Sequence, residues 1–105
     1  MLKQFTSTVY ICAKVHGEIK ILLHFHKKVQ IWVGMGGHIE SHENPIEAAV
    51  REVKEEAGIK IQLLNPKEKL IKTEFVTQLL TPFTILEEKI SARPDEPAHY
   101  HIDLI

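Results

Sequence analysis

The stretch Gly34–Ile59, GMGGHIESHENPIEAAVREVKEEAGI, gathers glutamates into one helix-forming segment directly behind a cluster of glycines. Asn44 suits the N-cap, Pro45 the first helical position and Glu47 the reciprocal N3 position of a capping box, so a helix is expected to start there. Ile46, Ala49, Val50, Val53 and Ala57 follow the i, i+3, i+4, i+7, i+11 spacing of one buried stripe. Gly58 fits the position at which helices end. At about 100° per residue, Glu52, Glu55 and Glu56 fall in a sector displaced from that stripe, and Glu43 stands just ahead of the helix start. Like charges one turn apart repel, so such a segment is expected to meet something positive. Four oxygen donors suit a hard divalent cation, Mg²⁺ or Mn²⁺, which keeps its other positions for water and phosphate oxygens.

The flanking sequence reads mainly as strands. FTSTVYICAKV is rich in β-branched and aromatic residues, HGE turns the chain, and IKILLHF alternates before running apolar, which predicts a β-hairpin. The glycines at 34 to 37 break the pattern, and a short extended HIE follows. After the helix, IKIQLL resumes strand character and NPKEK reads as a turn. Apolar runs follow at Phe75–Leu80 and Phe83–Leu86, then a polar loop EEKISARPDEPA and a last strand-like HYHIDLI. Strands around one strong helix predict an α+β or mixed α/β fold.

The whole chain bounds the function. Its 105 residues, 44% hydrophobic and 26% charged, fit a single domain of an ordinary globular protein. Thirteen basic against fourteen acidic side chains leave a net charge of −1, so no field recruits nucleic acid or an anionic membrane. Phosphate must be held by local groups or by metal. The single cysteine, Cys12, sits in an apolar run and reads as a small buried thiol; with no disulfide to form and no signal-like start, a cytoplasmic protein is expected.

From Gly37 onward the residues fit the pattern G-x5-E-x7-R-E-U-x-E-E-x-G-U, with U a bulky aliphatic: Gly37, Glu43, Arg51, Glu52, Val53, Glu55, Glu56, Gly58 and Ile59. Its fixed residues, at ordinary usage, match by chance on the order of 10⁻⁹ per start position, which decides against a merely solvated acidic face. This pattern is the Nudix box, and the chain resembles a small MutT-like Nudix hydrolase. The resemblance implies a Nudix-type α/β/α sandwich with a mixed sheet, and Mg²⁺-dependent hydrolysis of a nucleoside diphosphate linked to another group. Glu55, Glu56 and Arg51 form the implied catalytic set. Glu52, Glu55 and Glu56 are the implied metal ligands, Glu43 an auxiliary one, and Arg51 orients the carboxylates and the preceding loop. Gly36, Gly37 and His38 form the loop expected to face the substrate phosphates.

A small-molecule nucleotide is the expected partner. The first choice is a nucleoside triphosphate, oxidised or not; ADP-ribose and dinucleoside polyphosphates come next. TEFVTQ, beyond the box, lacks the Pro or Tyr that marks some of the latter subfamilies. The rival is a nucleotide-sensing module that keeps the fold without turnover. The resemblance also implies a further helix after HYHIDLI. The domain, residues 1–105, is therefore expected to be C-terminally incomplete, or its sheet to be covered by a partner chain such as a second copy in a homodimer.

Other features carry weaker signals. Gly34-Met35-Gly36-Gly37 replaces the proline that many relatives carry before the paired glycines. It is not a P-loop, since no Lys-Ser/Thr follows. His24-x-His26 and His99-x-His101 each place two imidazoles on one strand face; without cysteines they read as half-exposed strand histidines before they read as zinc ligands. His99 or His101 could contact substrate or move a proton, and His38 or His42 could touch phosphate. Trp32 is either a core aromatic or a residue that stacks on a base. A loop base is sought among Glu87, Glu88, Asp95 and Glu96, with Glu55 or Glu56 as the alternative.

Overall fold

The computed structural model describes residues 1–64 and 70–105; the turn expected within NPKEK lies outside them. The strands are β1 (Lys3–Val9), β2 (Ile11–Val15), β3 (Glu18–Leu22), β4 (His24–His26), β5 (Ile31–Val33) and β6 (Met35–His38), followed by helix α1 (Pro45–Ala57), β7 (Ile85–Ile90) and β8 (His99–Leu104). A four-stranded sheet runs β6-β1-β8-β7, and β2-β3 and β4-β5 form two separate hairpins. The sheet is mixed: β1 is antiparallel to β6 but parallel to β8, with Lys3 opposite Tyr100 and Ser7 opposite Leu104. The first and last strands are thus neighbours in its centre.

Helix α1 starts as its sequence requires. The Asn44 side chain accepts from Glu47 N (2.8 Å), and the Glu47 carboxylate accepts from Asn44 N (3.0 Å). Such a capping box contributes about 1 kcal/mol. Gly58 ends the helix at φ 69°, its N–H donating to Lys54 O. The helix packs on β6 and β1, and the buried apolar residues Met35, Ala48, Ala49 and Val53 form the small core between them. Ser7 Oγ donates to Pro45 O (3.2 Å), seating the first turn on β1.

Strand alternation sorts the sheet into two unlike faces. Phe5, Ser7, Val9, Met35, Tyr100, Ile102 and Leu104 share the face on which α1 lies. Thr6, Thr8, His38, Leu86, Glu88, His99, His101 and Asp103 share the other, which is mostly polar. Among the described residues α1 is the one helix, so one layer of the expected sandwich is present.

The structure departs from the sequence reading in several places, among them His99, expected half-exposed but buried in β8. Met35–His38, expected as a glycine loop, is the edge strand of the main sheet. Residues 59–64 form no strand, having no sheet partner among the described residues. Glu87 and Glu88 lie in strand β7 rather than a loop. Cys12 is exposed rather than buried, because the β2–β3 hairpin stands away from the sheet with nearly all its residues exposed. Trp32 is 66% exposed and therefore not a core aromatic; its ring lies 5.5 Å from that of Phe25 on the outer face of the β4–β5 hairpin. Among the described residues, no helix is long and apolar enough to cross a membrane.

Candidate active site

Helix α1 brings its glutamates to the edge of the sheet at β6, where Gly37 leaves room for Glu52 and Gly36 offers its N–H to Glu56. The position a Gly37 Cβ would occupy lies 2.6 Å from Glu52 Oε1. At Gly36 a Cβ would run into the backbone of β1, and its N–H donates to Glu56 Oε1 (2.9 Å). The close approach of helix and edge strand thus depends on the missing side chain at Gly37, and the close pairing of the edge strand with β1 on the missing side chain at Gly36.

Arg51 organises the rest. Its Nε and one terminal nitrogen fork onto the two oxygens of Glu43 (2.7 and 2.8 Å). The other terminal nitrogen donates to Glu52 Oε1 (2.8 Å) and Glu55 Oε2 (3.3 Å). A further hydrogen bond, to the carbonyl of His38 (3.0 Å), ties the helix to the end of β6. Arg51 therefore touches both the carboxylates and the preceding segment. Its hydrogen bonds hold the Glu43 carboxyl down at about 2, and Glu43 and Glu52 in turn strengthen the hold of Arg51 on its proton. Glu43 has both oxygens on Arg51 and also accepts from Glu40 N (3.1 Å), so it anchors the arginine. Glu55 is the most open, its side chain 60% exposed. Glu56 is the box carboxylate that Arg51 does not touch; His24 Nε2 lies 3.2 Å from its Oε2.

Four carboxylates here face one guanidinium and one imidazole. An all-oxygen donor set with surplus negative charge is what Mg²⁺ takes, so the residues fit that ion chemically. Among the described residues no three His, Cys, Asp or Glu side chains stand together as a metal cage. Three of the four carboxylates are turned onto Arg51 instead.

Beside this cluster the polar sheet face floors a groove of about 540 Å³, walled by the β4–β5 hairpin and the turn before β8. Asp103 is buried at its floor and accepts from Thr6 Oγ1 (2.9 Å) and Thr8 Oγ1 (2.8 Å). Glu88 lies in the same groove, and burial, then the charge and hydrogen bond of Asp103, raise its carboxyl above the usual range. Of the loop-base candidates, Glu88 and Glu96 line the groove, whereas Glu87 pairs with Lys3 (2.9 Å) and Asp95 is exposed. His99 is buried, its Nδ1 2.9 Å from Pro97 O, its Nε2 3.0 Å from His101 Nε2 and 3.3 Å from Glu96 Oε1. The rings of His101 and His38 meet edge to face at 5.1 Å, and His42 lies in an exposed turn. Asp103, Thr6 and Thr8 escaped the sequence reading because their convergence depends on pairing the first strand with the last; alternation in TSTV and HIDL was the available signal.

Burial, then the neighbouring His38 and His99, lower the basicity of His101 from its usual 6.5. The folded chain prefers this imidazole neutral, while the unfolded chain protonates it near 6.5. Its stabilising contribution is therefore complete above that pH and is lost as pH falls below it. The melting temperature should drop between about pH 7.5 and about pH 5.5, and His101→Asn should make that drop smaller. An unchanged pH profile in the variant would remove His101 from the account.

The sequence matches the model of the NUDIX domain over residues 5–99. Among solved structures, a NUDIX-family hydrolase from Clostridium perfringens superposes with a TM-score of 0.70 at 31% identity, covering 98% of this chain and 67% of that one. The Ap4A hydrolase of C. elegans superposes with a TM-score of 0.56 at 24% identity, covering 97% of this chain and 67% of that one, a likeness of fold alone.

Proposed function

The chain belongs to the NUDIX family of hydrolases that act on pyrophosphate bonds, and we propose that it is a Mg²⁺-dependent, cytoplasmic pyrophosphohydrolase of nucleoside triphosphates. The observation that carries this reading is the junction of an acidic helix face with a polar groove on the open edge of the sheet. Glu52, Glu55 and Glu56 would hold the cation, with Glu43 kept back as the anchor of Arg51. Bound there, the ion would neutralise phosphate charge and lower the pKa of a water. Arg51 keeps Glu43, Glu52 and Glu55 in one arrangement and fixes the end of β6 through His38 O. Glu55 or Glu56 takes the proton of the attacking water, and the triphosphate leaves as monophosphate and pyrophosphate. The base lies over the polar floor, where Asp103, held by two threonine hydroxyls, presents a fixed acceptor.

A panel of nucleoside triphosphates, ADP-ribose and dinucleoside polyphosphates, assayed with Mg²⁺ and with Mn²⁺ for phosphate and pyrophosphate release, tests this. Pyrophosphate from a triphosphate supports it; release from another member moves the substrate class, and binding without turnover favours a sensing module. The metal has a separate readout. A ligand binding only the folded form adds about 2.7 kcal/mol at a hundredfold excess over Kd. Even about 1 kcal/mol raises the melting temperature of so small a domain by several degrees. A Glu52→Gln, Glu56→Gln double variant should melt higher than the native chain without metal and ignore its addition. If millimolar Mg²⁺ and Mn²⁺ leave the native melting curve in place, the metal reading fails.

A further inference from the structure

Arg51 fixes three box carboxylates and leaves the fourth, Glu56, to groups outside the helix. One oxygen of Glu56 accepts from Gly36 N (2.9 Å); the other lies 3.2 Å from Nε2 of His24 on β4, far from the box in sequence. The register explains how β4 comes to face the helix. Phe25 and Trp32 are opposed on the outer face of the hairpin, so His24 and His26, one residue either side of Phe25, turn inward to line the groove. Gln30 N donates to His26 O (2.8 Å) and closes the turn. His26 Nδ1 is buried with no hydrogen-bond partner among the described residues, which marks this inner face as one built toward the groove and what enters it.

We propose that His24 is a positioning residue for Glu56. Its ring N–H stands at one carboxylate oxygen while the Gly36 N–H holds the other, and between them they stop the side chain rotating out of the groove rim. Each oxygen keeps a free lone pair for a further partner. Neutral imidazole and imidazolium alike can carry a proton on Nε2, so the role needs no change of charge. The side chains of His24 and Glu56 are 32% and 23% exposed, so the pair is partly shielded from water, and the melting curve of a His24 variant separates a contribution to folding from the positioning role. What such an outer contact does is orient a ligand, and its loss costs about 10–100-fold in metal affinity or activity. The inference rests on the reading of Glu56 as a working carboxylate of the box.

The test compares His24→Ala, His24→Gln and Glu56→Gln in the full chain by melting curve, by titration with Mn²⁺ alone, and by kcat and KM for the nucleoside triphosphate that turns over fastest. His24→Ala should melt like the native chain, bind Mn²⁺ about tenfold more weakly, and lose about 10–100-fold in kcat with KM little changed. His24→Gln places an amide N–H near the same point and should recover most of both losses. Native Mn²⁺ affinity and kcat in His24→Ala, or an equal loss in His24→Gln, would overturn the role. If His24→Ala does not fold, His24→Gln decides: near-native Mn²⁺ affinity supports the role, and a full loss overturns it. Should no triphosphate turn over, the Mn²⁺ titrations decide alone. Native turnover in Glu56→Gln would overturn the reading of Glu56 and the inference with it; an inactive Glu56→Gln beside a native His24→Ala overturns the inference only.

Discussion

Alanine at two adjacent glycines is expected to give contrasting outcomes, with Gly36→Ala losing much of the stability and Gly37→Ala losing the activity. At Gly36 the added Cβ meets the Ser7 carbonyl oxygen, and it also lies 2.9 Å from Thr8 Cα and 3.0 Å from Ser7 C. These are backbone atoms of β1, which β8 holds from its other side. The strand has nowhere to retreat, so β6 must move off, taking with it the surface on which α1 packs. Overpacking of this kind costs about 3 kcal/mol, which for a small domain lowers the melting temperature on the order of 10–20 °C. At Gly37 the three nearest atoms are Glu52 Oε1, Cδ and Oε2, at 2.6, 2.8 and 3.0 Å. They end a flexible side chain and can swing away. The backbone stays, and alanine restricts the unfolded chain, which offsets any strain by about 0.4–1 kcal/mol. The displaced Glu52 no longer lies beside β6, and a misplacement of about 1 Å can lower kcat about 100-fold. Melting curves and kcat for the two variants check the contrast. Native turnover in Gly37→Ala would show that Glu52 is not needed where it stands.

Arg51→Ala should be the most damaging single change in the helix. The variant leaves Glu43, whose side chain is only 6% exposed, without its counter-charge, and it frees Glu52, Glu55 and the His38 carbonyl together. We expect kcat to fall by about 100-fold or more, with a lower melting temperature at neutral pH that added Mg²⁺ partly restores. Arg51→Lys should not rescue, since an ammonium cannot fork onto Glu43 while reaching Glu52. Acid gives a second check. Because Glu43 is held at about 2 against an ordinary 4.5, the stability it contributes is complete above the higher value and disappears as pH falls through the lower one. The difference in melting temperature between the native chain and Arg51→Ala should therefore shrink across that acid window. A constant gap would show that the Arg51–Glu43 fork is not what separates them.

Local signals were legible where local chemistry decides. The Asn44–Glu47 capping box, Gly58 and the stripe through Ala49 and Val53 all act within a few residues, and the helix follows them. The β2–β3 hairpin is likewise written in HGE between two alternating runs. What failed depended on partners remote in sequence. Gly36 and Gly37 read as a loop because glycine disfavours strands, yet here the need for close contact with β1 and Glu52 outweighs that preference. Cys12 read as buried, and Trp32 as either a core aromatic or a stacking residue, because they are apolar, but their hairpins project from the sheet and leave both exposed. Ala48 lies off the expected stripe and is nevertheless fully buried. The box marked which carboxylates gather; that Arg51 would claim Glu43 with both oxygens, and leave Glu56 to β4, required the register of three separate elements.

The parallel pairing of β1 with β8 has a consequence for the order in which the protein can be made. Thr6 and Asp103, hydrogen-bonded at the centre of the sheet, are separated by 97 positions in the chain. While a ribosome is still adding β8, β1 has only β6 beside it, and the box helix can close its first turn but has half of this sheet to rest on. A ladder built from contacts so distant in sequence forms late, and chains dominated by such contacts fold in milliseconds to seconds, more slowly than helical bundles. Thr6, Thr8 and Asp103 cannot meet until β8 has left the exit tunnel, so the floor of the groove should form after β6 and the box helix are already made.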